Sequence, residues 1–296
     1  MHIPVRCQVI IDNDWAGDPD GLVALAHHLL SPANEVLAIT SSLTNPMFGP
    51  PSGRAEAGGV LARTLLGHLG SGVPVAAGLD VPFDGSVRRS EAARRIIDAA
   101  TASRDLPLIL VCGGPLTNIA DALVAAPEIA SKFILAWVGG SITGADEYNE
   151  STDQTAADFV LANPHLVVWQ FPLECYRRLT LSVAELEYSL TGGGVTGRWL
   201  WEQFETLPLP DFVKLGPLWC LGDSAPLIVT ALEDLTSTFE VRRAQPERRI
   251  YTEVDARMIL GDLFARLRLA AHDGLGIPDA IPDRGTHRGR GQGVND

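Results

Sequence analysis

Four carboxylates stand within nine residues near the start of the chain: Asp12, Asp14, Asp18 and Asp20. Like charges this close repel one another, and a hard cation with oxygen ligands would relieve the repulsion. A simpler reading is a capped turn between a strand and a helix. Asp18 suits a helix N-cap, with Pro19 at the first helical position, and the helix dipole favours acids nearby. That reading accounts for Asp18 better than for all four acids together, since acid clusters tend to mark functional sites. Two acidic motifs were compared with the stretch. An EF-hand loop counted from Asp12 needs Asp or Asn at its fifth position and Glu at its twelfth, where the chain has Ala16 and Val23. A phosphotransferase of the haloacid dehalogenase type also opens on a strand and D-x-D, but Gly-Thr or similar would follow instead of Trp15-Ala16. It stays as an alternative enzyme.

The flanking residues show what must position these acids. Val9, Ile10 and Ile11 form a β-branched run that predicts a buried strand. Asp12 and Asp14, two apart at its end, are expected to point the same way. Leu22, Leu25, Ala26 and Leu29 follow at helical spacing. The same rhythm recurs along the chain. Strands are predicted at 36–40, 74–78, 108–111, 134–138 and 166–171, with helices at 54–69, 90–102, 119–125 and 156–162. Residues 182–235 read as mainly helical, 237–240 and 251–255 as a late strand pair, and 260–271 as a last helix. The fold class is therefore α/β, an open, mostly parallel sheet with helices on both faces.

In such sheets ligands bind beyond the carboxyl ends of the strands. Those ends collect the unusual residues: the acid cluster, Asn45, the run Cys112-Gly-Gly-Pro-Leu-Thr-Asn118, Gly139-Gly140 followed by Glu147-Tyr148-Asn149, and Gly222-Asp223-Ser224. Each alone has an ordinary explanation. Thr117 or Asn118 could cap a helix after a tight turn, Glu147 and Asn149 could be loop polars, and Asp223 could cap a helix beginning near Ser224. Trp15 could be core or could stack on a planar ligand.

Composition narrows the class of function. The 296 residues are 46% hydrophobic, enough for a large core, and carry a net charge of −13. That charge argues against nucleic acid or an anionic membrane as partner. Cys7, Cys112, Cys175 and Cys220 form no C-x-x-C pair and read as reduced thiols of a cytoplasmic protein. No signal-peptide apolar region opens the sequence, and no run of about 18 apolar residues predicts a membrane span. One domain is expected over residues 1–282, with a disordered polar tail over 283–296.

Taken together, and in the same order, the five places resemble the signature places of the inosine-uridine preferring nucleoside hydrolases. The family's opening D-x-D-P-G-x-D-D is similar to Asp12-Asn13-Asp14-Trp15-Ala16-Gly17-Asp18-Pro19-Asp20-Gly21, with Trp15 for the proline and a loop about two residues longer. Its G-P-L-T-N is matched letter for letter by Gly114 to Asn118. Its M-G-G and E-F-N resemble Val138-Gly139-Gly140 and Glu147-Tyr148-Asn149, across a shorter loop that lacks one ribose-binding asparagine. Asp153 with Ala156-Ala157 resembles D-P-E-A-A, and Gly222-Asp223-Ser224 resembles the late H-D-P.

The resemblance implies calcium-dependent hydrolysis of the N-glycosidic bond of a ribonucleoside, in the setting of purine salvage. It implies that Asp14, Asp20, the Gly113 carbonyl and Asp223 hold Ca2+, with Asp18 as the alternative to Asp20 because the longer loop blurs the alignment. Asp14 would also be the catalytic base. Asp18, Asn45, Glu147 and Asn149 would grip the ribose, and Trp15, or Trp219, would stack on the base. Gly222 stands where pyrimidine-cleaving relatives have a histidine, so a preference for purines is expected, with Tyr148 as another candidate proton donor. The expected partner is a small nucleoside, with a homodimer or homotetramer as the assembly. A non-catalytic relative that binds a sugar or nucleoside would present the same ribose contacts.

Overall fold

The computed structural model describes residues 2–17, 19–102, 105–207, 216–244 and 246–274. The first half alternates strand and helix: β1 (Cys7–Asn13), α1 (Pro19–Leu30), β2 (Asn34–Ser41), α2 (Arg54–Leu69), β3 (Val75–Ala77), α3 (Glu91–Thr101), β4 (Leu108–Cys112), α4 (Thr117–Ala125) and β5 (Ile134–Val138). Then come α5 (Tyr148–Thr152), α6 (Gln154–Leu161), β6 (Val167–Phe171) and α7 (Leu173–Tyr176). The remainder holds β7 (Thr180–Ser182), α8 (Val183–Thr191), α9 (Gly194–Glu205), β8 (Leu218–Cys220), α10 (Leu227–Thr230), β9 (Thr238–Ala244), β10 (Glu247–Glu253) and α11 (Ala256–His272).

The main sheet runs in the order β3-β2-β1-β4-β5-β6-β10-β9. Strands β1 to β6 pair in parallel, β10 joins β6 in parallel, and β9 closes the edge antiparallel to β10. The chain winds outward from β1 to β3 and then crosses back to β4 on the other side of β1. The order therefore reverses between β1 and β4, and the crevice beyond their carboxyl ends is where a ligand site belongs.

Alternation along the strands splits the core into two layers. Val9 and Ile11 of β1, with Ile109 and Val111 of β4, pack against α1, α2, α9 and α11. Ile10, Leu108 and Leu110 point the other way, against α3, α4 and α6. Arg94 and Arg95 lie on the exposed side of α3, as its spacing predicts.

The structure departs from the sequence expectation in the last third. The late strand pair is longer than expected, seven residues each, and extends the main sheet. Residues 182–235 are not wholly helical, because β8 pairs with β7 in a second, two-stranded sheet. A three-residue strand is too short to show a period of two. Strand β9 carries an irregularity next to Arg242 and exposes Glu240 and Arg242, features that blunt a sheet edge. The expected tail, 283–296, lies outside the described residues. Among the described residues no helix is long and apolar enough to cross a membrane.

Candidate active site

Strand β1 delivers three consecutive polar residues to the crevice, and each takes a different task. Asp12 is fully buried. It accepts Thr40 Oγ1 at 2.5 Å and Asn118 Nδ2 at 2.8 Å, and so ties β1 to β2 and α4. Burial raises its pKa to about 6 against the opposing pull of these hydrogen bonds. Asn13 accepts the amide of Asp14 on Oδ1 at 2.7 Å and gives Nδ2 to Asp223 Oδ2 at 2.8 Å. Asp12 is taken up by Thr40 and Asn118, whereas Asp14, one residue beyond the strand, lines the cleft.

The cleft has a volume of about 440 Å³, and Asp14, Asp20, Gly113, Glu147, Tyr148, Asn149, Tyr176, Gly222 and Asp223 are among its lining residues. Asp14 Oδ2 accepts the Tyr148 hydroxyl at 2.8 Å. The amide of Asp223 donates to Asp20 Oδ2 at 3.0 Å. No Lys, Arg or His lines the cleft among the described residues. Close packing explains two glycines here. A β-carbon on Gly17 would come 2.5 Å from Asp14 Oδ2, and one on Gly113 would come 2.8 Å from Asp223 Cγ. Any side chain at either position would push a carboxylate out of place.

The opposite wall is built on the N-terminus of α5. Glu147 caps that helix, accepting the amides of Glu150 at 3.0 Å and Gly140 at 2.8 Å on Oε2, and the Tyr176 hydroxyl at 2.9 Å on Oε1. Burial raises the Glu147 pKa above its ordinary value despite those bonds. Asn149 gives Nδ2 to the carbonyls of Gly113, at 3.0 Å, and Val138, at 2.9 Å, joining the ends of β4 and β5. Its Oδ1 is buried and has no partner among the described residues, an acceptor suited to a ligand hydroxyl.

Three carboxylates and a backbone carbonyl on one cleft form an all-oxygen donor set, the kind a hard cation such as Ca2+ takes. A β-carbon on Gly113 would fill the space beside Asn13 Nδ2 and the Asp223 carboxylate, so glycine leaves that space open. By donor type and placement Asp14, Asp20, Gly113 and Asp223 therefore fit such an ion. Among the described residues no three His, Cys, Asp or Glu side chains form a ready-made metal shell. The acids are instead held by hydrogen bonds from Tyr148, Asn13 and the Asp223 amide.

Other sequence-predicted residues sit elsewhere. Trp15 is 1% exposed and donates Nε1 to the Thr40 carbonyl at 3.0 Å, so its indole is core and presents no stacking face to the cleft. Trp219 packs edge-on against Phe204, at 5.2 Å between ring centroids, and is not among the cleft residues. Asn45 does not line the cleft. Its amide is occupied at both ends, by Thr152 Oγ1 at 2.7 Å and the Met47 amide at 2.9 Å, and it caps a short 3-10 turn. Asp18 lies outside the described residues. Thr117 and Asn118 do not cap α4. Thr117 instead donates to Asp153 at 2.7 Å, and Asp153 in turn caps α6. Asn13 and Tyr176 escaped the sequence reading. Asn13 occupies the x of D-x-D, and Tyr176 comes from α7, in no motif.

The sequence profile described as "Inosine-uridine preferring nucleoside hydrolase" matches residues 9–214. No curated protein matches the sequence. Solved structures do resemble the fold. An inosine-guanosine nucleoside hydrolase superposes with a TM-score of 0.71 at 18% identity, over 89% of this chain and 99% of its own. The inosine-uridine preferring nucleoside hydrolase from Bacillus anthracis gives 0.66 at 16%, over 88% and 99%. A purine-preferring ribonucleoside hydrolase from Gardnerella vaginalis gives 0.61 at 21%, over 89% and 99%.

Proposed function

Because the chain belongs to the inosine-uridine preferring nucleoside hydrolases, and with them to the N-ribosyl hydrolases, we propose that this cleft hydrolyses the N-glycosidic bond of ribonucleosides, purine ribonucleosides by preference, with Asp14 as general base. One observation carries the reading. Asp14, Asp20, Gly113 and Asp223 line a single cleft together with Glu147 and Asn149, at the point where strand order reverses.

Asp14, Asp20, Asp223 and the Gly113 carbonyl would hold the calcium. Bound there, the ion would lower the pKa of a coordinated water and anchor sugar hydroxyls. Asp14, at the floor of the cleft, takes the proton of the attacking water. Glu147 and the unpartnered Asn149 Oδ1 accept hydroxyl donors from the ribose, and this orients its anomeric carbon towards Asp14. The transition state gathers positive charge on the sugar, which four nearby carboxylates favour. The leaving base receives no acid from Gly222, and the Tyr148 and Tyr176 hydroxyls are committed to Asp14 and Glu147. A purine can take its proton from solvent at a ring nitrogen, and uracil offers no such site. With Trp15 in the core, the preference rests on this argument and not on stacking by that residue. A cytoplasmic homo-oligomer working in purine salvage is the setting this reading implies.

A second reading is a non-catalytic ribose or nucleoside binder. One contact favours it: the Tyr148 hydroxyl already donates to Asp14 Oδ2, the carboxylate that would take the proton of water. Free ribose released from inosine, uridine and p-nitrophenyl riboside, set beside calorimetric binding of a ribose analogue, separates the two. Hydrolysis is expected, with inosine turned over faster than uridine. Binding without release would favour the binder, and uridine turning over as fast as inosine would overturn the purine preference.

A further inference from the structure

Tyr176 enters the cleft from α7, at the carboxyl end of β6, and makes two contacts there. Its hydroxyl donates to Glu147 Oε1 at 2.9 Å, the one side-chain donor to that carboxylate among the described residues, beside the backbone amides of Gly140 and Glu150 on Oε2. Its ring lies against Gly222. A β-carbon on residue 222 would stand 2.7 Å from Tyr176 Cδ2 and 3.3 Å from Cε2 and Cγ. Atoms of a rigid ring cannot give way one at a time, so a side chain at 222 and the tyrosine compete for the same volume. The ring is also anchored from behind. The Tyr176 carbonyl accepts Cys220 Sγ at 3.4 Å. Glu174, two residues earlier, accepts Ser141 Oγ at 2.7 Å and the amides of Ile142 and Thr143 at 3.0 Å. Those bonds fasten α7 to the loop that carries Glu147, so moving the ring off Gly222 also moves the donor on Glu147.

We propose that Tyr176 is a positioning residue: its hydroxyl aligns Glu147 for the sugar, and its ring fills the side-chain volume of position 222 and so forms the planar wall of the cleft there. The proposal rests on the N-ribosyl hydrolase reading and assigns to this tyrosine the shape of the cleft beside Gly222.

The test compares steady-state kinetics on p-nitrophenyl riboside and inosine for the wild type, Tyr176→Phe, Glu147→Gln and the double variant. It adds melting temperatures for Gly222→Ala in the wild-type and Tyr176→Ala backgrounds. Losing a hydrogen bond to a charged group should raise KM about tenfold for both substrates, with kcat within about twofold. The same change should cost clearly less once Glu147 is Gln, whose amide oxygen can still accept the hydroxyl but carries no charge. Gly222→Ala should lower the melting temperature of the wild type and leave that of Tyr176→Ala unchanged. An unaltered KM in Tyr176→Phe, an undiminished effect beside Glu147→Gln, or equal melting losses in both backgrounds would each overturn the proposal. If the wild type releases no ribose, the hydrolase reading fails by itself. The same cycle, read as the calorimetric affinity for ribose, then decides the alignment of Glu147, and the melting comparison decides the shape of the wall.

Discussion

The two ends of the cleft handle negative charge in opposite ways. At the acid-loop end Asp14, Asp20 and Asp223 line the cleft, held by a tyrosine hydroxyl, a backbone amide and an asparagine amide. At the α5 end a single carboxylate, Glu147, accepts two backbone amides and a tyrosine hydroxyl. Neutral donors orient a carboxylate without cancelling its charge. Three carboxylates sharing a region with no basic side chain among the described residues still gain from a cation, whereas one carboxylate already held by three donors is a fixed acceptor with capacity left for a ligand hydroxyl. On the proposed reading the difference is a division of labour, in which metal and water would belong to the acid-loop end and sugar hydroxyls to the α5 end.

The largest effect expected from this division is at Asp14. Asp14→Asn should lower kcat on p-nitrophenyl riboside by more than the roughly 10²–10⁴-fold of acid–base catalysis alone, because metal binding is lost with it. The thermal transition should survive. Turnover within about tenfold of the wild type would remove the distinction between the two ends. Glu147→Gln should cost less, about 10–100-fold in kcat/KM, the range for a hydrogen bond to a charged group. Its response to added calcium should match the wild type, and a lost response would place Glu147 at the metal end.

Calcium alone should stabilise the folded protein. At a hundredfold excess over the dissociation constant the gain is about 2.7 kcal/mol, read as a raised melting temperature that Asp223→Asn diminishes. An equal gain in that variant would exclude Asp223 as a ligand. The smallest effect concerns the clamp behind Tyr176. Burial opposes charge on Glu174, but amides and hydroxyls from the 141–143 loop win and hold its pKa at about 2, below the ordinary 4.5. Because the folded value is the lower one, the contribution is complete above about pH 4.5 and is lost as pH falls towards 2. In acid titrations followed by circular dichroism, Glu174→Gln should flatten stability across that window. An unchanged slope would detach the clamp from the fold's stability.

The βαβ rhythm was legible because buried parallel strands read as aliphatic runs such as Val9–Ile11 and Leu108–Val111, and helix α2 was placed residue for residue. The short β8 and the full length of β9 were not legible, since three residues carry no period and β9 alternates charged and apolar residues on an exposed edge. Within the cleft, strand ends pointed to the right stretches because polar residues gather where a parallel sheet opens, and the resemblance of those stretches to family motifs singled out Asp14, Asp20, Gly113, Glu147, Asn149 and Asp223. Trp15 misled because its neighbours in the chain are acids, whereas its indole turns inward to the Thr40 carbonyl. Asn45 misled because a residue that follows a strand end can be used up by its own turn. Tyr176 carried no local signal. Its role arises only where α7, the α5 cap and Gly222 meet in space.

The central claim is that the acid-loop end holds a metal that supports hydrolysis. Its most direct test is ribose release from inosine by one preparation assayed as purified, after chelation, and after calcium is restored. Release that stops on chelation and returns with calcium, but not with magnesium, is the predicted result. Release undiminished by complete chelation would contradict it.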